Sequence, residues 1–162
     1  MKAVVVHQYG GPEVLKLEEY PDPAAGPGEV LVRVAATSVN PIDFKRRAGL
    51  TKDFYPINFP GLMGVDIAGT VVTVGPGVEG FSSGDRVFAM AADTPRNAEK
   101  YATVKVVPVY ATPDPKTLQF MAEAVRDGKL AIPISRKLPL SKAAEAQAAA
   151  EEGGIGKVLL VA

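Results

Sequence analysis

The sequence predicts an α+β fold, mostly β, and three observations carry that prediction. Residues 67–74 and 86–90 are apolar, β-branched runs separated by a segment holding Gly75, Pro76, Gly77, Gly80, Ser82, Ser83 and Gly84. Glycine reaches positive φ without steric cost and proline fixes φ at about −65°, so this punctuation suits a strand that turns and returns antiparallel. Helical spacing of apolar residues begins only beyond residue 114, in two helix-strand pairs. No repeat of strand, glycine-rich loop and helix occurs, which separates the chain from a doubly wound parallel sheet.

The elements follow in order. Residues 2–7 read as a short strand and 15–19 as a second, alternating one, with Gly10, Gly11 and Pro12 turning between them. Residues 21–28 carry three prolines and two glycines and are irregular; they deliver the chain to a strong strand over 29–37. There Val30, Val32 and Val34 share one face, with Leu31 and Arg33 on the other. Asn40 and Pro41 end that strand, 43–48 form one helical turn stopped by Gly49, and 51–60 is an aromatic-rich loop. Beyond the central pair, 101–107 reads as another strand.

Asp114 can cap a helix that has Pro115 at its first position, and Leu118, Met121, Ala122 and Val125 lie one above another on its apolar stripe. Methionine in that stripe is core filling. Gly128 ends the helix, and 130–134 is expected as a strand. Ser141 is expected to cap a second, alanine-rich helix over 141–152, whose small side chains permit close approach to a sheet. Residues 157–161 close the chain as an apolar strand.

At 162 residues the chain fits one domain able to bury about 70% of its unfolded surface without staples. It has no cysteine, which excludes disulfides and thiolate zinc sites and fits a reducing compartment. Eighteen basic and eighteen acidic residues cancel, so no broad field recruits nucleic acid or an anionic membrane. The longest basic run, Lys45, Arg46 and Arg47, reads as a solvated turn or rim. The first residues, MKAVVVHQYGG, have too short an apolar stretch for a signal peptide, and a cytoplasmic protein is expected.

Gly75, Gly77 and Gly80 also spell GxGxxG after a strand. A dinucleotide loop with that spelling must open a helix whose amides face the pyrophosphate. Here Phe81, Ser82, Ser83, Gly84 and Asp85 lead into another strand, so the segment reads as a structural turn.

The runs GEVLVRVAATSVNPIDFKRRAG and FPGLMGVDIAGTVVTVGPGVEGFSSGDRVFAM resemble the GroES-like catalytic domain of medium-chain dehydrogenases/reductases, in the zinc-independent quinone oxidoreductase branch. The tail PKTLQFMAEAVRDGKLAIPISRKLPLSKAAEAQAAAEEGGIGKVLLVA is similar to the last part of the same domain. The resemblance implies a partly open GroES-like β-barrel with two C-terminal helix-strand units. Members carry about twice this length, with a Rossmann domain inserted between the halves. Here no Rossmann domain follows residue 107. Residues 1–107 are expected to form the N-terminal barrel part, 108–113 an artificial join, and 114–162 the C-terminal part of one domain.

For the site, the resemblance implies NADPH-dependent hydride transfer to a quinone or other conjugated carbonyl. Asn40 would line the nicotinamide side, and 43–47 would face the substrate. Some members have tyrosine where this chain has Lys45, which serves as proton donor or oxyanion partner if buried and is a spectator if exposed. Asn40 also has a local role, since Asn-Pro favours a turn. Zinc enzymes have a cysteine ligand where this chain has Asn40 and a histidine ligand where it has Val65; Asp43 and Asp66 alone do not make a zinc site, and no metal is expected. The lone His7 reads as a structural, hydrogen-bonded residue.

Three functions follow. The first is an isolated, engineered catalytic domain that folds alone, binds no cofactor and does not turn over. The second is a residual or complemented NADPH-dependent oxidoreductase. The third is a GroES-like binding module. Loss of the cofactor domain would expose Phe44, Phe54 and Tyr55 and invite self-association, with the polar run 92–100 as surface redesign.

Overall fold

A computed structural model describes residues 1–90 and 114–162. The polar run 92–100, the expected strand 101–107 and the join 108–113 lie outside the described residues. Of those described, 1–90 and 134–162 belong to one compact unit and 114–133 to a second.

The first unit is built on two open sheets rather than a closed barrel among the described residues. In one, β1 (Lys2–Val6) lies between β2 (Lys16–Glu19) and β4 (Gly61–Leu62), antiparallel to both. The other contains β3 (Val30–Ser38), β5 (Asp66–Val74), β6 (Arg86–Met90), β7 (Ile134–Pro139) and β8 (Lys157–Val161), in the spatial order β6-β5-β3-β8-β7. The C-terminal segment thus completes the sheet begun by the N-terminal one, because β8 pairs antiparallel with β3. Two helices of this unit are α1 (Pro41–Arg47) and α3 (Ala143–Glu151).

The central turn-and-return forms as its residues require. β5 and β6 pair antiparallel from Asp66↔Met90 to Thr70↔Arg86. Gly77, Gly80 and Gly84 take φ of +77°, +80° and +96°, a region L side chains disfavour. Gly75 serves differently: a Cβ there would stand 1.9 Å from the Gly26 carbonyl oxygen, so only glycine permits the two backbones to touch. The GxGxxG segment is therefore a turn.

The core gathers Val4, Val6, Val14, Leu15, Val39, Ile57, Ala143, Ala146, Val158 and Leu160. Valine-sized side chains buried this way contribute about 1.5–3 kcal/mol each. The alanines of α3 do pack closely: Ala146 is fully buried and Ala143 nearly so.

Two expected boundaries move. The strand anticipated over 130–134 begins only at Ile134, because β8 sets it: β7 runs parallel to β8 from Ile134↔Lys157 to Pro139↔Val161. Pro133, just before it, has no N–H to give to a ladder. Ser141 does not cap α3. It sits inside a 3-10 turn, Leu140–Lys142, whose closing bond from the Ala143 N–H to the Leu140 carbonyl starts the helix without a side-chain cap.

In the second unit, α2 (Pro115–Arg126) starts at its expected cap. The Asp114 carboxylate accepts from the Lys116 and Thr117 N–H groups at 3.3 and 3.1 Å and from the Thr117 hydroxyl at 2.5 Å. These bonds, the Thr117 hydroxyl first, hold its pKa below the usual carboxylate value.

Candidate active site

The end of β3 organises the site, because β3 has β5 on one side and β8 on the other. Along β8 the register runs Ala36↔Val161, Thr37↔Leu160, Ser38↔Leu159. Continued past Ser38, it sets residue 39 opposite Val158, where the Val39 N–H donates to the Val158 carbonyl at 3.0 Å, and residue 40 opposite Lys157. On the other side Ala36↔Ala68 brings Asp66 level with Ser38. Three residues that are distant in sequence therefore converge on one point.

Asn40 occupies that point as the N-cap of α1, with Pro41 at the first helical position. The helix starts two residues before its expected bound. Asn40 donates its backbone N–H to the Asp43 carboxylate at 2.8 Å, the reciprocal bond of a capping box. Its side chain faces two charged partners. The Lys157 ammonium donates to Asn40 Oδ1 at 2.5 Å, and Asn40 Nδ2 donates to Asp66 Oδ2 at 2.7 Å. The Ser38 hydroxyl donates to the same carboxylate oxygen. An ammonium only donates and an ionised carboxylate only accepts, so the amide has one electrostatically consistent orientation.

Asp43 is buried, at 3% exposure. Burial is the main cause that raises its pKa above the ordinary carboxylate value, with the Asp66 charge adding to it; the Asn40 N–H, Arg46 and Lys157 oppose the rise.

The basic run on α1 divides three ways, which corrects its reading as a solvated rim. Lys45 is exposed, so it lacks the burial on which its proton-donor reading depended. Arg46 is half-buried, with its guanidinium carbon 3.7 Å from the centre of the Tyr55 ring. Arg47 is 1% exposed and bonds the Glu151 carboxylate of α3. A fully buried arginine inside a basic run arises because α3 packs on that face of the helix. Of the aromatic residues expected at an exposed face, Phe54 is exposed while Phe44 and Tyr55 are half-buried.

A cavity of about 160 Å³ opens beside Asn40, lined by its neighbours Val39 and Pro41, by Phe44, Ala150 and Gly154, and by Lys157. Val65 is buried. His7 Nε2 lies 2.9 Å from Glu18 Oε2 at the surface. Among the described residues no group of three or more His, Asp or Glu could hold a metal ion, and no helix is long and apolar enough to cross a membrane.

Of the site residues anticipated from sequence, Asn40 stands at the centre of a charged network and Lys45 stands outside it. Lys157 and the polar role of Asp66 were not anticipated. Lys157 is 117 residues from Asn40, and only the strand register joins them.

Comparison with known proteins agrees with this architecture. A chloroplastic quinone-oxidoreductase of Triphysaria versicolor is 43% identical over 91 residues, 56% of this chain and 28% of that protein. The quinone oxidoreductase of Sus scrofa is 39% identical over 115 residues, 70% of this chain and 34% of that protein. The chain thus matches about a third of the length of these relatives. Among solved structures, the quinone oxidoreductase from Coxiella burnetii superposes with a TM-score of 0.74 at 17% identity, covering 100% of this chain and 99% of that one. A mycobacterial protein complexed with NADPH gives 0.70 at 17% identity, covering 100% of both chains. Both superpositions show the fold. The family model of the alcohol dehydrogenase GroES-like domain matches residues 26–113, more than half of the sequence. The chain belongs to the alcohol dehydrogenase GroES-like domain family and is similar in sequence to quinone oxidoreductases.

Proposed function

We propose that this chain is the catalytic domain of a zinc-independent, NADPH-dependent quinone oxidoreductase, engineered by removal of the dinucleotide-binding domain, and that alone it folds but does not turn over. The observation that carries the reading is the pairing of β8 with β3, which joins both ends of the chain into one sheet around Asn40. The relatives named quinone oxidoreductase and the NADPH complex of a structural neighbour support the same reading.

The described residues suit the ring end of such a cofactor better than its phosphate end. Asn40 keeps one N–H beyond its bonds to Asp66, Lys157 and the Asp43 N–H, and a small cavity opens beside it. The GxGxxG segment, by contrast, is a turn between two strands. When bound, NADPH supplies the hydride; the chain's part is to orient the ring and exclude water. With no phosphate loop among the described residues, the remote binding energy that orients the ring is lost.

Calorimetric titration with NADPH, with a thermal melt alongside, tests this. Ligand at one hundred times its dissociation constant adds about 2.7 kcal/mol of stability, a shift a melt resolves. No heat and an unmoved midpoint are expected. Saturable binding with NADPH-dependent quinone reduction by the purified chain would overturn the reading.

Two further properties belong to the proposal. Exposed Phe54, Phe88 and Met90 support self-association, which sedimentation over a concentration series reads directly. The absence of cysteine supports a reducing, cytoplasmic setting.

A further inference from the structure

We propose that Lys157 and Asp66 are positioning residues that fix the side-chain amide of Asn40 in a single orientation for ligand recognition. The network they form is a line of three groups from three neighbouring strands and a helix cap. Asp66 opens β5, Asn40 follows β3, and Lys157 opens β8. The amide is gripped at both ends, by a group that can only accept and a group that can only donate. Turning the amide over would set N–H against ammonium and carbonyl against carboxylate, so both partners oppose the flip.

The orientation matters because of what it leaves over. An amide has two N–H donors and two carbonyl lone pairs; Asp66 takes one donor, Lys157 one lone pair and the Asp43 N–H of the capping box the other. The remaining N–H is held in a fixed direction, an arrangement suited to a neutral ligand group that accepts, such as the oxygen of a carboxamide. Val39 and Pro41, on either side of Asn40, line the cavity together with Lys157 itself. The Ser38 hydroxyl, bonded to the same Asp66 oxygen as the amide, holds the carboxylate in place. The ligand part of this inference rests on the reading of the chain as an oxidoreductase domain; the positioning part stands on the network alone.

The test follows the Asn40 side-chain amide by heteronuclear NMR in the full chain, assigned by its disappearance in Asn40→Asp. In the wild type one Nδ2 proton exchanges slowly with solvent. Lys157→Met speeds that exchange by about tenfold, the weight of one charged hydrogen bond. Lys157→Arg restores it, because another cation again pins the carbonyl end. Asp66→Asn reads the other end of the amide, where loss of the carboxylate should speed the same exchange, so one variant decides if the other does not fold. Exchange unchanged in Lys157→Met with backbone resonances of β3 intact, or no rescue by Lys157→Arg, overturns the proposal. Reduced nicotinamide mononucleotide is then titrated into the wild type. If it leaves the Asn40 signals unmoved while the variants behave as stated, the positioning stands and the cofactor reading of Asn40 falls.

Discussion

Arg47 and Glu151, 104 residues apart, form an ion pair in which the guanidinium is 1% exposed and the carboxylate 33%. It fastens α1, which begins at the Asn40 cap, to α3 of the C-terminal segment. Arg47 Nε and Nη1 and Gln147 Oε1 have no partner among the described residues. Removing the carboxylate strands a buried charge, which costs about 3–5 kcal/mol in a fully buried pair and less where solvent reaches one partner. Glu151→Gln is therefore expected to lower stability by about 2 kcal/mol in urea denaturation. Arg47→Met should cost less, since it also removes the unpartnered donors. Equal losses in the two variants would contradict this account.

Asp43 sets a pH dependence of definite sign. Its folded pKa lies above the ordinary 3.8, chiefly through burial and secondly against the pull of the Asn40 N–H, with Asp66 raising it further. The folded state then holds the proton more tightly than the unfolded one. The stability it contributes is full below that ordinary value and is lost as pH rises through the folded value. Asp43→Asn removes this dependence. In urea titrations across acid pH, the wild type should lose stability relative to the variant as pH rises, and parallel profiles would count against it.

The glycines of the GxGxxG turn are not equivalent. Gly75→Ala drives a Cβ against two backbone carbonyls, 1.9 Å from that of Gly26 and 2.8 Å from that of Glu29, and neither can swing away. A cost of about 3 kcal/mol is expected, the upper end for overpacking. Gly77→Ala meets open space and pays only for its φ of +77°, about 1 kcal/mol. A phosphate-binding loop would lose ligand response in both; thermal melts of the two variants should instead differ in stability alone.

On α1, neighbouring cations should answer differently. Lys45→Ala is expected to stay within about 0.5 kcal/mol of wild type, as exposed substitutions do. Arg46→Ala loses a guanidinium stacked on Tyr55 and should cost about 0.5–1 kcal/mol. A matched pair of denaturation curves decides it. A loss for Lys45→Ala as large as for Arg46→Ala would show that Lys45 has a partner.

Much of the fold was legible in local sequence. The runs 67–74 and 86–90, the turn glycines between them, the Asp114 cap and the strand 157–161 all appear within a residue of their expected places. Each depends on neighbours a few positions away, through steric limits on φ, side-chain caps and the alternation of apolar residues. The motifs that resemble the quinone oxidoreductase domain were equally local, and the family match falls on that region.

What the sequence by itself determined is therefore most of the described strands and turns, the GroES-like family, and Asn40 as the residue to watch. Tertiary structure alone decided the start of β7, the burial of Arg47 and the grip of Lys157 and Asp66 on the Asn40 amide. Those depend on which strand lies beside which, and on partners more than a hundred residues away for Arg47 and Lys157. Periodicity reports that one face of an element is covered; it does not name the element that covers it.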